Sequence, residues 1–104
     1  MEIFIGHEDE PVFAKGRYND IDGSVTVYEG SRLSPKVTVR TINVATAVSR
    51  LREDGELVDG VYVKKDITFN SPTAAANFVT GRSSNGLIEW KDEEGGALKD
   101  HLVV

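Results

Sequence analysis

Three apolar runs, Ile3-Phe4-Ile5, Val12 to Tyr18 and Val25-Thr26-Val27-Tyr28, follow one another at the start of the chain. The links between them, 6–11 and 19–24, are dense in acids, Gly and Pro and too short to hold a crossover helix. Parallel neighbours need a dozen or more connecting residues, so these strands must run antiparallel, as a meander. Gly16 inside the second run marks a bulge or a close backbone approach.

Two helices are expected after the meander. Ile42, Ala45, Val48 and Leu51 recur at three-residue steps, which gives an apolar stripe and a helix over about 42–54. Arg50 and Arg52 in its last turns suit the helix dipole, and Gly55 reads as its C-terminal glycine. Ser71-Pro72 opens a second helix over 72–80, with Ser71 as N-cap, Pro72 at the first helical position and Gly81 as a left-handed cap. Leu57-Val58, Val61-Tyr62-Val63 and Ile67-Thr68-Phe69 read as short strands, with Asp59-Gly60 as a hairpin turn. Leu87-Ile88-Glu89-Trp90 reads as a last strand and Ala97–Val104 as a packed tail. The 104 residues suffice for one domain spanning 1–104. The fold class is α+β: a largely antiparallel small sheet, the N-terminal meander plus short C-terminal strands, packed with two helices.

Charge and cysteine content narrow the function. There are 12 basic and 17 acidic residues, net −5, and neither half of the chain is basic. A non-specific nucleic-acid coat needs many cations, so only a localised basic site is open to this chain. There is no cysteine, which removes disulfides, thiolate catalysis and Cys-type zinc sites, and suits the cytoplasm. The apolar runs are too short to span a membrane, and the N-terminus lacks the pattern of a signal peptide.

Little in the sequence carries catalytic chemistry. His7 and His101 have no partner at ligand spacing, so no metal is expected. Glu8-Asp9-Glu10 and Asp92-Glu93-Glu94 read as solvated loop charge rather than a general acid and base or a cation site. No nucleophile elbow or phosphate-binding glycine loop occurs. The chain is read as non-enzymatic, with no cofactor. Arg32, Lys36 and Arg40 form either a local anion patch or ordinary solubilising charge. Arg82, Asn85 and Trp90 either line a pocket for a base or peptide or serve the scaffold. In the scaffold reading Trp90 fills the core, Asn85-Gly86 makes a turn and Arg82 caps the helix end.

A resemblance adds to this. Leu51 to Leu57, Phe69-Asn70-Ser71-Pro72-Thr73-Ala74-Ala75-Ala76 and Gly81-Arg82-Ser83-Ser84-Asn85-Gly86-Leu87-Ile88-Glu89-Trp90-Lys91-Asp92 make a signature region over 51–98. It resembles a bacterial and archaeal domain of unknown function that follows GIY-YIG nuclease domains. It is also similar to the RAMA domain associated with restriction systems and adenine methylases. The resemblance implies an accessory recognition module of a DNA-processing system, acting on nucleic acid, modified or not, or on a nuclease or methylase partner. With no room for a nuclease domain here, nuclease activity is not expected. On this reading Arg82, Ser83, Asn85, Trp90 and Lys91 are the binding residues, with Lys64 and Lys65 meeting phosphate. The alternative is a protein-interaction or regulatory domain whose acidic surface meets a basic partner; the oligomeric state is left open.

Overall fold

In the computed structural model, which describes residues 1–102, alternation decides how the meander lies. In β1 (Glu2–Ile5) Ile3 and Ile5 point inward and Phe4 outward. In β2 (Ala14–Tyr18) Ala14 and Gly16 point inward and Lys15 and Arg17 outward. β3 (Val25–Val27) buries both valines and turns Thr26 out. The pairs are antiparallel, in the register Phe4 opposite Lys15 and Arg17 opposite Thr26. Gly16 is the close approach that its place in the strand predicts: a Cβ there would collide with the Thr26 carbonyl.

The C-terminal strands divide. β4 (Val58–Asp59) and β5 (Tyr62–Val63) form a separate two-stranded hairpin, with Gly60 at φ 63° in its turn. β6 (Ile67–Phe69) joins the meander beside β3, giving the order β1-β2-β3-β6.

α1 (Ile42–Glu53) forms as the stripe predicts but buries only Val48 fully. It ends on an extended Asp54, and Gly55 has no positive φ, so the expected glycine cap is not made. α2 (Pro72–Thr80) keeps its expected bounds. Ser71 Oγ accepts the Ala74 N–H at 3.1 Å, and Gly81 closes the helix at φ 71°. Ala75 to Val79 are all buried, because small residues let the helix lie close on the inner sheet face. Trp90, Phe78, Leu33 and Leu98 complete the core.

The expected strand over Leu87–Trp90 is instead a short helix, α3 (Gly86–Glu89). Asn85 starts it: its side chain accepts the Leu87 N–H at 3.0 Å, and its carbonyl accepts from Ile88 and Glu89. This local capping overrides the β preference of Leu87 and Ile88. Strand pairing begins just beyond, where Lys91 exchanges two 2.8 Å hydrogen bonds with Phe4 and extends the sheet past β1. The tail forms a 3-10 turn over Leu98–His101; Val103 and Val104 lie outside the described residues.

Candidate functional site

The signature residues interlock. Gly86 N–H donates to Thr73 Oγ1 at 3.1 Å, and the Trp90 indole N–H donates to the Pro72 carbonyl at 3.0 Å. The buried Asn77 side chain accepts from Ser84 N–H at 3.1 Å. The first turn of α2 is thus held by α3 and by the tryptophan that follows it.

This geometry sorts the residues singled out from sequence. Trp90 has no exposed surface, so its ring offers no face for stacking; it supports the core. Asn85 and Ser83 are exposed on the α2–α3 link, with Asn85 Oδ1 taken by its capping bond. Arg82 does not cap α2; its guanidinium pairs with Glu89 at 2.8 Å. Lys64 donates to the Gly55 carbonyl at 2.7 Å and Lys65 lies 3.9 Å from Glu56. Those two lysines therefore serve the neighbourhood of the α1–β4 link, apart from the α2–α3 link. Lys91 alone turns toward the outer face of the sheet, with its ammonium on the Ile88 carbonyl at 2.6 Å.

That outer face carries the densest interleaving of aromatic and basic side chains. α2 covers the inner face, and residues directly opposite in a ladder share a side. One row across the strands is Lys91, Phe4, Lys15 and then Tyr28, whose N–H bonds to the Lys15 carbonyl. A second is Phe13, Arg32 and Tyr62, joined by bridges. A third is Glu2, Arg17, Thr26 and Thr68. Phe4 and Phe13 stack with centroids 6.5 Å apart. Lys15 Nζ lies 6.0 Å from the Phe4 centroid and Arg32 Cζ 5.5 Å from that of Phe13. Such cation–π placements hold the charges beside the rings. Arg32 is further pinned by the carbonyls of Glu8 and Glu10. Among the described residues Arg17 has no ion-pair partner.

Glu2 is the one acid in these rows. The Tyr28 hydroxyl donates to it at 2.7 Å, and Lys15 stands 3.5 Å away. The tyrosine hydrogen bond holds the Glu2 carboxyl below its ordinary range, and the same bond raises the tyrosine. Glu2 therefore stays ionised and Tyr28 neutral at physiological pH.

At the β1 end the face deepens into an open cleft of about 680 Å³. Phe4, Phe13, Lys15 and Lys91 line it together with His7, Glu8, Glu89, Asp92 and Glu93. Sequence reasoning passed over Phe4, Phe13, Lys15, Arg17, Tyr28 and Tyr62. The signal for three of them was present: Phe13, Lys15 and Arg17 alternate with Ala14 and Gly16, which puts the large polar or aromatic set on one face.

The cleft's acidic rim is anchored by Asp92. Its side chain accepts from Glu94 N–H at 2.9 Å and Gly96 N–H at 2.8 Å, and meets His101 Nε2 at 2.6 Å. The His101 contact, then the Gly96 N–H, hold the Asp92 carboxyl below its ordinary range. A depressed folded value adds stability above the unfolded carboxylate pKa, near 4, and loses it as pH falls through the folded value. Asp92→Asn is therefore expected to be less stable than wild type at about pH 7, with the gap narrower at about pH 3, below the ordinary carboxylate value. Urea unfolding at the two pH values measures it; a gap that persists unchanged in acid rejects this role for the charge. Among the described residues no group of His, Asp and Glu is arranged to hold a metal.

Fold and surface together define a small α+β module with one sheet face covered and the other open, bearing aromatic rings and cations beside an acid-lined cleft. The chain belongs to the family described as a domain of unknown function (DUF4357), whose pattern matches residues 7–102. No curated protein and no solved structure matches the chain. No helix among the described residues is long and apolar enough to cross a membrane.

Proposed function

We propose that this is a non-catalytic recognition module that binds single-stranded or locally unpaired nucleic acid on its outer sheet face. The observation that carries the reading is the interleaving of Phe4, Phe13, Tyr28 and Tyr62 with Lys15, Arg17, Arg32 and Lys91. Aromatic rings on an open antiparallel sheet stack unpaired bases, and neighbouring cations meet the backbone between them. The net charge of −5 restricts the contact to a local one: Lys15, Arg17, Arg32 and Lys91 share this face with Glu2, and Glu8, Glu89, Asp92 and Glu93 stand at its β1 end. The resemblance to domains that follow GIY-YIG nucleases, and to the RAMA domain, supports a place in a cytoplasmic DNA-processing or restriction-type system. No cofactor enters this reading.

The test is a titration of mixed-sequence single- and double-stranded oligonucleotides at low and moderate salt. Each cation that meets a phosphate adds about 0.7 to the salt slope for single strands. Lys15→Ala and Arg17→Ala are each expected to flatten that slope by about this amount, while Arg82→Ala leaves it as in wild type. Phe4→Ala is expected to weaken binding by about five- to 150-fold, from a stacking contribution of about 1–3 kcal/mol. Circular dichroism checks the fold of each variant. Absence of binding to either form at low salt overturns the reading.

A second reading rests on a separate observation. Glu8, Glu89, Asp92 and Glu93 face one cleft, which suits a basic protein partner. It gains ground if oligonucleotides do not bind and light scattering or pull-down shows a complex or self-association.

A further inference from the structure

We infer that the cleft at the β1 end is a single-base subsite that prefers adenine or cytosine to thymine or uracil; this rests on the single-strand reading above. About 680 Å³ lies in the range of small-ligand pockets and exceeds what one base needs. Its lining combines aromatic rings with charges of both signs. Phe4 and Phe13 present a stacked pair of rings, flanked by the Lys15 ammonium on the open face. Carboxylates line the same cleft: Glu8 from the β1–β2 link, Glu89 from α3, and Asp92 and Glu93 beyond Lys91, which itself lies among them.

These groups orient a nucleotide. Phosphate is repelled by the rim and attracted to Lys15 and Arg17, so the strand runs along the basic rows and the base enters the cleft. There it takes the place of the Lys15 ammonium over the Phe4 ring and stacks on it, with its edge toward the acids, while Lys15 swings to the phosphate. An ionised carboxylate only accepts hydrogen bonds. The exocyclic amino groups of adenine and cytosine donate to it, while thymine and uracil place a carbonyl oxygen at that position and offer only a ring N–H flanked by two repelling carbonyls. Two of the carboxylates are held in place by partners outside the pocket lining. Arg82 fixes Glu89 at 2.8 Å, leaving Glu89 Oε2 outside that contact, and His101 fixes Asp92 at 2.6 Å. Arg82 is thereby a positioning residue: it sets the rim without touching the strand.

The experiment titrates the full chain with oligo-dA, oligo-dC and oligo-dT of about ten nucleotides, within the usual single-strand site sizes. Fluorescence anisotropy at one fixed low salt gives the three affinities. Oligo-dA and oligo-dC are expected to bind about ten-fold tighter than oligo-dT, the discrimination of one good hydrogen-bonded contact. Glu89→Gln with Glu93→Gln is expected to lower the ratio by about two-fold or more, because amides both donate and accept, and to raise affinity for oligo-dT; Glu8 and Asp92 retain the remainder. Arg82→Ala is expected to lower the ratio and Arg82→Lys, which keeps a cation beside Glu89, to restore most of it, a rescue that a merely structural role would not show. Equal wild-type affinities, or a preference for oligo-dT, overturn this inference and leave the single-strand reading standing. A preference undiminished by the double substitution in a folded protein also overturns it. Absence of binding to all three oligonucleotides overturns both readings.

Discussion

Replacing Gly86 by alanine is expected to destabilise the fold by about 3 kcal/mol or more. Gly86 opens α3 against the first turn of α2, and a Cβ there would collide with the Pro72 carbonyl group and the Thr73 nitrogen. These are backbone atoms, and no rotamer change relieves the clash. Separating the helices would break the Gly86 N–H bond to Thr73 and the Trp90 indole bond to Pro72. It would also loosen the packing around Trp90, the largest fully buried side chain. Gly55→Ala is the matched control, with ordinary φ and no atom near the added Cβ. It is expected to be neutral or slightly stabilising, since alanine narrows the unfolded ensemble. Urea unfolding followed by circular dichroism measures both. A Gly86→Ala protein within about 1 kcal/mol of wild type contradicts the interlock.

The interlock also explains which parts of this molecule the sequence makes legible. The start of α2 was readable because Ser71, Pro72 and Gly81 act within their own helix ends. The meander was readable because short links leave one choice of direction. α3 was not: Leu87 and Ile88 have strand-like composition, and what bends them is a cap from Asn85 and a tertiary fit of Gly86 on α2. The site was hidden for a related reason. Its aromatics and cations are spread over positions 4, 13, 15, 17, 28, 32, 62 and 91, and only the sheet register and its bridges bring them onto one face. The local cluster 82–91 attracted notice because it is dense in sequence. That density largely reflects the packing of α2, α3 and Trp90, and of its residues Lys91 and Glu89 reach the cleft.

Arg52→Ala is the second large effect, and it separates two roles that look alike in sequence. Arg50 and Arg52 both lie in the last turn of α1, where a cation suits that helix's own dipole. Arg52 does something further. Its guanidinium reaches the C-terminal end of α2 and donates to the carbonyls of Phe78, at 2.7 and 3.1 Å, and Val79, at 3.2 Å. It also bonds to the Ser34 carbonyl and lies over the Phe78 ring, 5.9 Å from its centroid. No carboxylate pairs with it among the described residues, so its charge is met by carbonyl dipoles at the negative end of a helix. Burial pushes its pKa down, yet a guanidinium remains a cation at any pH where the protein is folded. Removing it leaves part-buried carbonyls on two segments unpaired and detaches α1, which buries only Val48 fully on its own account. Hydrogen bonds to a charged group contribute about 1.5–3 kcal/mol, and orphaned carbonyls add to the loss. Arg52→Ala is expected to cost about 3 kcal/mol, a fall of roughly 10–20 °C in Tm for a domain of this size. Arg52→Lys recovers only part of this, because an ammonium cannot span three carbonyls in one plane. Arg50→Ala, on the exposed side, is expected to change stability by less than about 0.5 kcal/mol. Thermal unfolding of the three variants decides the matter: if Arg50→Ala and Arg52→Ala lose equal stability, the shared dipole effect suffices and the cross-helix clamp is not what holds α1.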